Sequence, residues 1–149
     1  MAWPKNLKEM PAVKRVMTPF PYSVELAESL TRAQELMSRH GIHHLPVVDQ
    51  GELIGVVSAA DLERTLIDPQ HEGRENLSIA EVPRGRALIT DLSAPLDSLL
   101  RRMADERMEV ALIVKDGRLA GIFTVTDACR HFAESLRQQF PQAGGDEAA

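Results

Sequence analysis

The sequence predicts an α/β (α+β) fold in which two copies of one β-α-β-β-α unit pack about a pseudo-twofold axis as a single module. Three observations carry that prediction. Shifting the chain by 66 positions aligns 16–62 with 82–128 without a gap, and nine aligned positions are identical, including Gly51/Gly117, Gly55/Gly121 and Asp61/Asp127. Each copy shows helical spacing, then a two-stranded pattern about a glycine turn, then helical spacing again. A copy of about 60 residues is marginal on its own by surface-to-volume scaling, so the two are expected to share a core.

The elements follow in order. A short leader (16–19, and 82–85 in the second copy) runs into a brief extended segment near Tyr22 or Leu88. Leu26, Leu30, Ala33 and Met37 then recur at spacings of three and four, as a buried helical stripe does. Gly41 follows as the helix stop. Leu96, Leu99, Leu100 and Met103 repeat the stripe, with Ser93 as the expected N-cap and Pro95 early in the helix. The runs 45–48 and 53–57 flank a turn at 49–52, and 111–114 and 119–123 flank the Asp-Gly turn at 115–118. Their near-continuous apolar character implies burial on both faces. Ser58 and Thr124 each open a final helix, the second running to about Phe140. The expected organisation is an amino-terminal arm (1–15) packed partly through Trp3, a first unit (16–67), a polar linker (68–80), a second unit (81–140) and a frayed tail (141–149).

Composition narrows the function. The 149 residues are 44% hydrophobic and 26% charged with a formal charge of −5, which predicts a soluble protein without the basic stripe of a nucleic-acid binder. No apolar run reaches the roughly 18 residues of a membrane span, and no secretory signal is expected, so the reading is cytoplasmic. The single cysteine, Cys129, is expected to pack rather than react. Most methionines, from Met10 to Met108, fall at core spacings. Phosphate-loop, dinucleotide and nucleophile-elbow motifs are absent, as are paired-histidine zinc motifs, and the expectation is a protein that is not an enzyme.

The chemistry concentrates in Gly55-Val56-Val57-Ser58-x-x-Asp61 and Gly121-Ile122-Phe123-Thr124-x-x-Asp127. In each, a strand ends on a hydroxyl residue at a helix N-terminus, where free N–H groups suit an anion. An aspartate three residues on can accept from the two hydroxyls of a ribose. The alternative is plain: Ser58 with Asp61, and Thr124 with Asp127, also make ordinary capping boxes.

With the His-His-Leu-Pro-Val-Val-Asp approach at 43–49, these runs resemble the cystathionine β-synthase (CBS) domain family, whose members occur as tandem pairs called Bateman modules. The second copy keeps Leu-Ala-Gly-Ile-Phe-Thr-Val-Thr-Asp but lacks the His-x-x-Pro approach. The resemblance implies two ligand clefts between the units, with an adenosine nucleotide (AMP, ADP or ATP) as regulatory ligand. One cleft would use His43, His44, Val56, Ser58 and Asp61, closed by Arg84, Leu88 and Met108. The other would use Glu109, Val110, Ile122, Thr124 and Asp127, closed by Thr18, Tyr22 and Ile42. Val56, Ile42, Leu88 and Ile122 suit the walls around an adenine. Other adenosyl compounds, such as S-adenosylmethionine or NAD, fit the same logic.

The two clefts are expected to differ. Glu109 beside phosphate oxygens would cost on the order of a kcal/mol, while Arg84 would favour them at the Asp61 cleft, which is therefore expected to bind phosphorylated ligands more tightly. His40, His43 and His44 suggest a metal, but adjacent histidines on a strand point to opposite faces and no cysteine is near, so none is expected. One histidine is instead expected beside a phosphate, with pH sensitivity near neutrality. The resulting expectation is a nucleotide sensor acting through a change in packing, as a homodimer and on an effector protein. The alternative is a ligand-free scaffold with vestigial clefts.

Overall fold

The computed structural model describes residues 9–141. The expected packing of Trp3, and most of the expected tail, lie outside the described residues. Seven strands and four α-helices form two sheets with helices against them.

In the first half, β2 (Val24–Glu25) leads into α1 (Leu30–His40). Ser29 caps α1 by accepting from the Arg32 N–H at 3.1 Å, and Leu30, Ala33 and Met37 are its buried stripe. Gly41 ends it in the left-handed region at φ 62°. The hairpin β3 (His44–Asp49) and β4 (Glu52–Ser58) then leads into α2 (Ala59–Ile67). In the second half, β5 (Leu88–Asp91), α3 (Leu96–Asp105), β6 (Val110–Lys115), β7 (Arg118–Thr124) and α4 (Val125–Gln139) repeat that order. Both hairpin turns hold two residues at positive φ, Gln50-Gly51 (51° and 84°) and Asp116-Gly117 (52° and 76°), the geometry whose twist matches the strands it joins.

Three sequence expectations change. Ser93 does not cap α3: its N–H and hydroxyl both go to the Asp91 carboxylate, and the helix starts after Pro95 without a side-chain cap. Those hydrogen bonds also hold the Asp91 carboxyl below its ordinary range. β6 is buried over most of its length and β3 over half of it; β4 and β7 are more open, with several half-exposed positions. Cys129 is exposed rather than packed, as is Met10, whereas Met17, Met37, Met103 and Met108 are buried.

The leaders explain how the halves join. Leu77, Ile79 and Val82 pack into the first half's core with Leu30, Met37 and Leu62. Their repeat counterparts Val13 and Val16, with Met17, pack into the second half's core with Leu96, Met103 and Phe123. Backbone bonds repeat the exchange: Leu30 N–H donates to Leu77 O at 3.1 Å, and Leu96 N–H to Pro11 O at 2.9 Å. Ile79 to Glu28 and Val13 to Ala94 do the same, both at 2.9 Å. Each copy of the repeat therefore completes the other copy's core. For the second leader this is a local contact; for the first it ties the start of the described chain to its far half.

The sheets carry the same exchange. The first half's sheet runs β2-β3-β4; the second half's runs β1-β7-β6-β5, where β1 (Thr18–Pro19) belongs to the first leader. Thr18 pairs with Ile122 and Pro19 with Gly121. Gly121 has no side chain because Met17 lies over it, and a Cβ there would overlap the Met17 sulfur. A third apolar cluster, Val56, Val110 and Leu112 with Ile122 and Ala87 packed against it, seals the seam between the halves.

Candidate functional site

At that seam the structure opens a cleft of about 770 Å³. One wall is the strap from Thr18 to Tyr22, where the first leader leaves β7. A second is the end of α1 and the approach to β3, contributing His40, Ile42, His43 and His44. The third is the end of β7 and the start of α4, contributing Ile122, Thr124, Thr126, Asp127 and Arg130. Tyr22 stacks on His40 with ring centroids 3.9 Å apart and planes 14° from parallel, joining strap to helix.

The β7–α4 junction is built as a capping box. Thr124 N–H donates to Asp127 Oδ2 at 2.8 Å, and Asp127 N–H donates to Thr124 Oγ1 at 3.2 Å. The Thr124 hydroxyl also donates to Oδ2. One carboxylate oxygen is therefore committed to the helix start. Among the described residues no cation lies within ion-pair distance of Asp127 and its second oxygen makes no hydrogen bond, on a side chain that lines the cleft.

The first half repeats the box, with Ser58 N–H to Asp61 Oδ2 at 3.0 Å and Asp61 N–H to Ser58 Oγ at 3.1 Å. Its surroundings differ. Asp61 Oδ1 already faces Arg64 Nη1 at 3.6 Å. The second leader lies against β4, with Gly85 N–H donating to Val56 O at 2.8 Å and the Arg84 side chain packed over Gly55. The capping reading thus holds at both aspartates, and they differ in that Asp61 has an arginine within ion-pair distance while Asp127, among the described residues, has none.

The structure redistributes the candidate residues. Thr18, Tyr22, Ile42, Ile122, Thr124 and Asp127 come together as expected for one cleft. His43 and His44, expected with Asp61, also line the Asp127 cleft, because β3 starts beside the end of β7. His44 sits at the seam itself, its Nε2 3.9 Å from Glu109 Oε2. Burial holds His44 below its ordinary value of 6.5 despite Glu109 and Asp61, which favour its charged form, while neighbouring His43 adds to the lowering. Glu109 is largely exposed and turned to His44, and Val110 is buried in the seam, so neither walls the cleft. Leu88 and Met108, expected as walls of the Asp61 cleft, are buried in the second half's core, since β5 pairs parallel to β6 with Leu88 opposite Ala111. Val56 is likewise buried in the seam.

Arg130, Thr126 and Phe20 were not among the sequence candidates. Arg130 had a signal: extending the repeat register two residues past Leu62/Ala128 reaches Arg64/Arg130. Thr126 and Phe20 had none, since their counterparts are Ala60 and Arg86. No group of histidine, cysteine and carboxylate side chains able to hold a metal ion occurs among the described residues.

Two leader–strand–helix copies, each with a hydroxyl–aspartate box at the seam, are the architecture of a CBS domain pair, and the chain belongs to the CBS domain family, whose profile matches 13–68 and 79–134. It is similar to a UPF0053 protein of Mycobacterium tuberculosis, at 30% identity over 93% of this chain and 32% of that protein. The chain thus spans about a third of that relative's length. Among solved structures it is similar to CBSX2 in complex with AMP (25% identity, 85% of this chain and 98% of that one, TM-score 0.68). It is also similar to the CBS domain pair of protein MJ0100 in complex with 5′-methylthioadenosine and S-adenosyl-L-methionine (25% identity, 82% and 99%, TM-score 0.68). No described helix is long and apolar enough to cross a membrane.

Proposed function

We propose that the chain is a regulatory module that binds a phosphorylated adenosine compound in the Asp127 cleft and performs no chemistry on it. CBS domain pairs hold adenosine ligands, as the CBSX2 and MJ0100 complexes do. The observation that carries the reading for this chain is the Asp127 carboxylate, which lines a cleft shared by both halves and uses only one oxygen in its capping box. A ribose diol would donate to that oxygen. Thr124 and Thr126 at the start of α4, with Arg130 and His43, would hold phosphate.

The order of affinities expected from sequence is reversed in this reading. Glu109 is turned to His44, and Arg130 stands in the Asp127 cleft, whereas Asp61 is already opposed by Arg64. Calorimetry with AMP tests it. Asp127→Asn should weaken binding about tenfold or more, the loss of a charge-assisted hydrogen bond, while Asp61→Asn should stay within about twofold. Melting temperatures control for the shared capping role. Equal losses, or a larger loss at Asp61, would reject the assignment. ADP, ATP and S-adenosylmethionine in the same titration rank the physiological candidates.

Regulation needs a reader. Leu66 and its repeat counterpart Phe132 are both exposed, as are Ile67 on α2 and Leu136 and Phe140 towards the end of α4. These apolar positions suit a homodimer or an effector protein. They equally support the second reading, a docking scaffold whose aspartates serve only as caps. Absence of any thermal shift with adenosine compounds would favour that one, since a ligand at a hundredfold its Kd adds about 2.7 kcal/mol.

A further inference from the structure

Phe20 lies on the rim of the Asp127 cleft with 92% of its surface exposed, more than any other large apolar side chain described. Its backbone is in the left-handed region at φ 48°, which a bulky side chain adopts only under constraint. Of the four non-glycine residues at positive φ among the described residues, the other three have local reasons. Gln50 and Asp116 form the hairpin turns, and Arg107 follows α3 at the position Gly41 holds after α1. Phe20 has neither reason. It stands between Pro19 and Pro21, and a following proline narrows its choices further. Its N–H is held by Ala120 O at 3.1 Å, so the strap is pinned to β7 where Phe20 lines the cleft. Its repeat counterpart, Arg86, carries neither an aromatic ring nor a positive φ.

A strained backbone that presents an uncovered aromatic ring to an open cleft points to a ligand contact. Nearby, Tyr22 is stacked on His40 yet half exposed, which makes this side of the cleft aromatic. The opposite side, around Thr124, Asp127 and Arg130, carries the hydroxyls and charges. A ligand with a sugar phosphate at one end and a flat heteroaromatic base at the other matches that division.

Resting on the adenosine reading of the same cleft, we propose that Phe20 is the residue that selects for a base, covering it by stacking as the strap settles on the ligand. The test is calorimetry on the full chain with two probes, AMP and ribose 5-phosphate, which lacks the base. Phe20→Ala should weaken AMP about fivefold or more, the range of a lost base–aromatic stack, and leave ribose 5-phosphate within about twofold. Phe20→Tyr should restore AMP binding. The melting temperature of Phe20→Ala should not fall, because the ring packs on nothing. Unchanged AMP affinity in Phe20→Ala, or equal weakening of both probes, overturns the role of Phe20 and leaves the Asp127 site standing. Failure of the unmodified chain to bind AMP overturns the adenosine reading, and the selection by Phe20 with it.

Discussion

The two halves place an identical device, a hydroxyl–aspartate box at the end of a strand, in unlike surroundings. At Asp61 the second leader lies against β4 and Arg64 faces the outer carboxylate oxygen. At Asp127 the first leader pairs with β7 and stays bonded to it through Phe20, and Arg130 lines a cleft without pairing with the carboxylate. The crossings are also one residue out of register: Thr18 pairs with Ile122, but the partner of Val56 is Gly85, one place beyond the equivalent Arg84. A duplicated scaffold thus keeps its folding chemistry in both copies while ligand chemistry is free to concentrate in one. The capping box stabilises each helix whether or not a ligand comes, so it marks a helix start with certainty and a site only with its neighbours.

The largest expected effect probes whether the halves are separable. Phe123→Ala removes the largest fully buried side chain among the described residues and should cost about 3–5 kcal/mol. Its repeat counterpart, Val57→Ala, removes a smaller side chain and should cost less. Because each copy's leader completes the other's core, both variants should melt in one transition. Two resolved transitions in calorimetry would show that the exchange of leaders does not couple the halves.

Next in size is the glycine under each crossing. A Cβ at Gly121 would overlap buried Met17, whereas one at Gly55 would come within 3.0 Å of Cδ on the exposed side chain of Arg84, which can move. Gly121→Ala should therefore cost about 1–3 kcal/mol by overpacking, whereas the cost of Gly55→Ala comes from its backbone at φ 158°, which side chains rarely adopt, and not from the crossing. A Gly121→Ala variant as stable in urea denaturation as the unmodified chain would mean that Met17 gives way and the first crossing is not tight.

Much of this was legible in sequence because local rules repeat. The stripes through Leu30 and Leu96, both glycine turns, Gly41 and the boxes at Ser58 and Thr124 each follow from spacing and conformational preference within a few residues. Where a local signal competed, it misled. Ser93 is a good cap by type, but Asp91 two residues back took its donors. The second helix stop has no glycine, and Arg107 adopts φ 54° where Gly41 has 62°. The exchange of leaders was hidden for a different reason: an alignment says which residues correspond, not which copy they pack against. That exchange, with the parallel pairing of β5 and β6, is why Leu88 and Met108 are core, while His44 pairs with Ser58 of one box and also lines the Asp127 cleft.

Arg130 sharpens the electrostatic side of the comparison. Arg130→Gln should weaken AMP about tenfold and leave adenosine, which has no phosphate, within about twofold. Arg64→Gln should leave AMP unchanged, since Arg64 serves Asp61. The Arg130 effect should shrink at high salt because the cleft is open to solvent. Equal loss for adenosine would place Arg130 on the base or ribose instead.

The smallest effect concerns His44, whose counterpart Val110 cannot titrate, so the seam is pH-sensitive from one half only. Burial holds His44 below 6.5, with Glu109 and Asp61 opposing the shift and His43 adding to it. The unfolded chain therefore takes up a proton at a higher pH than the folded one. Above about 6.5 both forms are neutral and the contribution is complete; as pH falls from there through the folded value, stability declines. Glu81 and Asp91, held low by the donors of Ser78 and Ser93, act in the carboxylate range well below this window. His44→Gln should flatten the denaturation free energy between about pH 7 and 5. Glu109→Gln should instead lower the His44 value further, because it removes the carboxylate that favours the charged ring. A slope that persists unchanged in His44→Gln would show that His44 is not the source of the pH dependence.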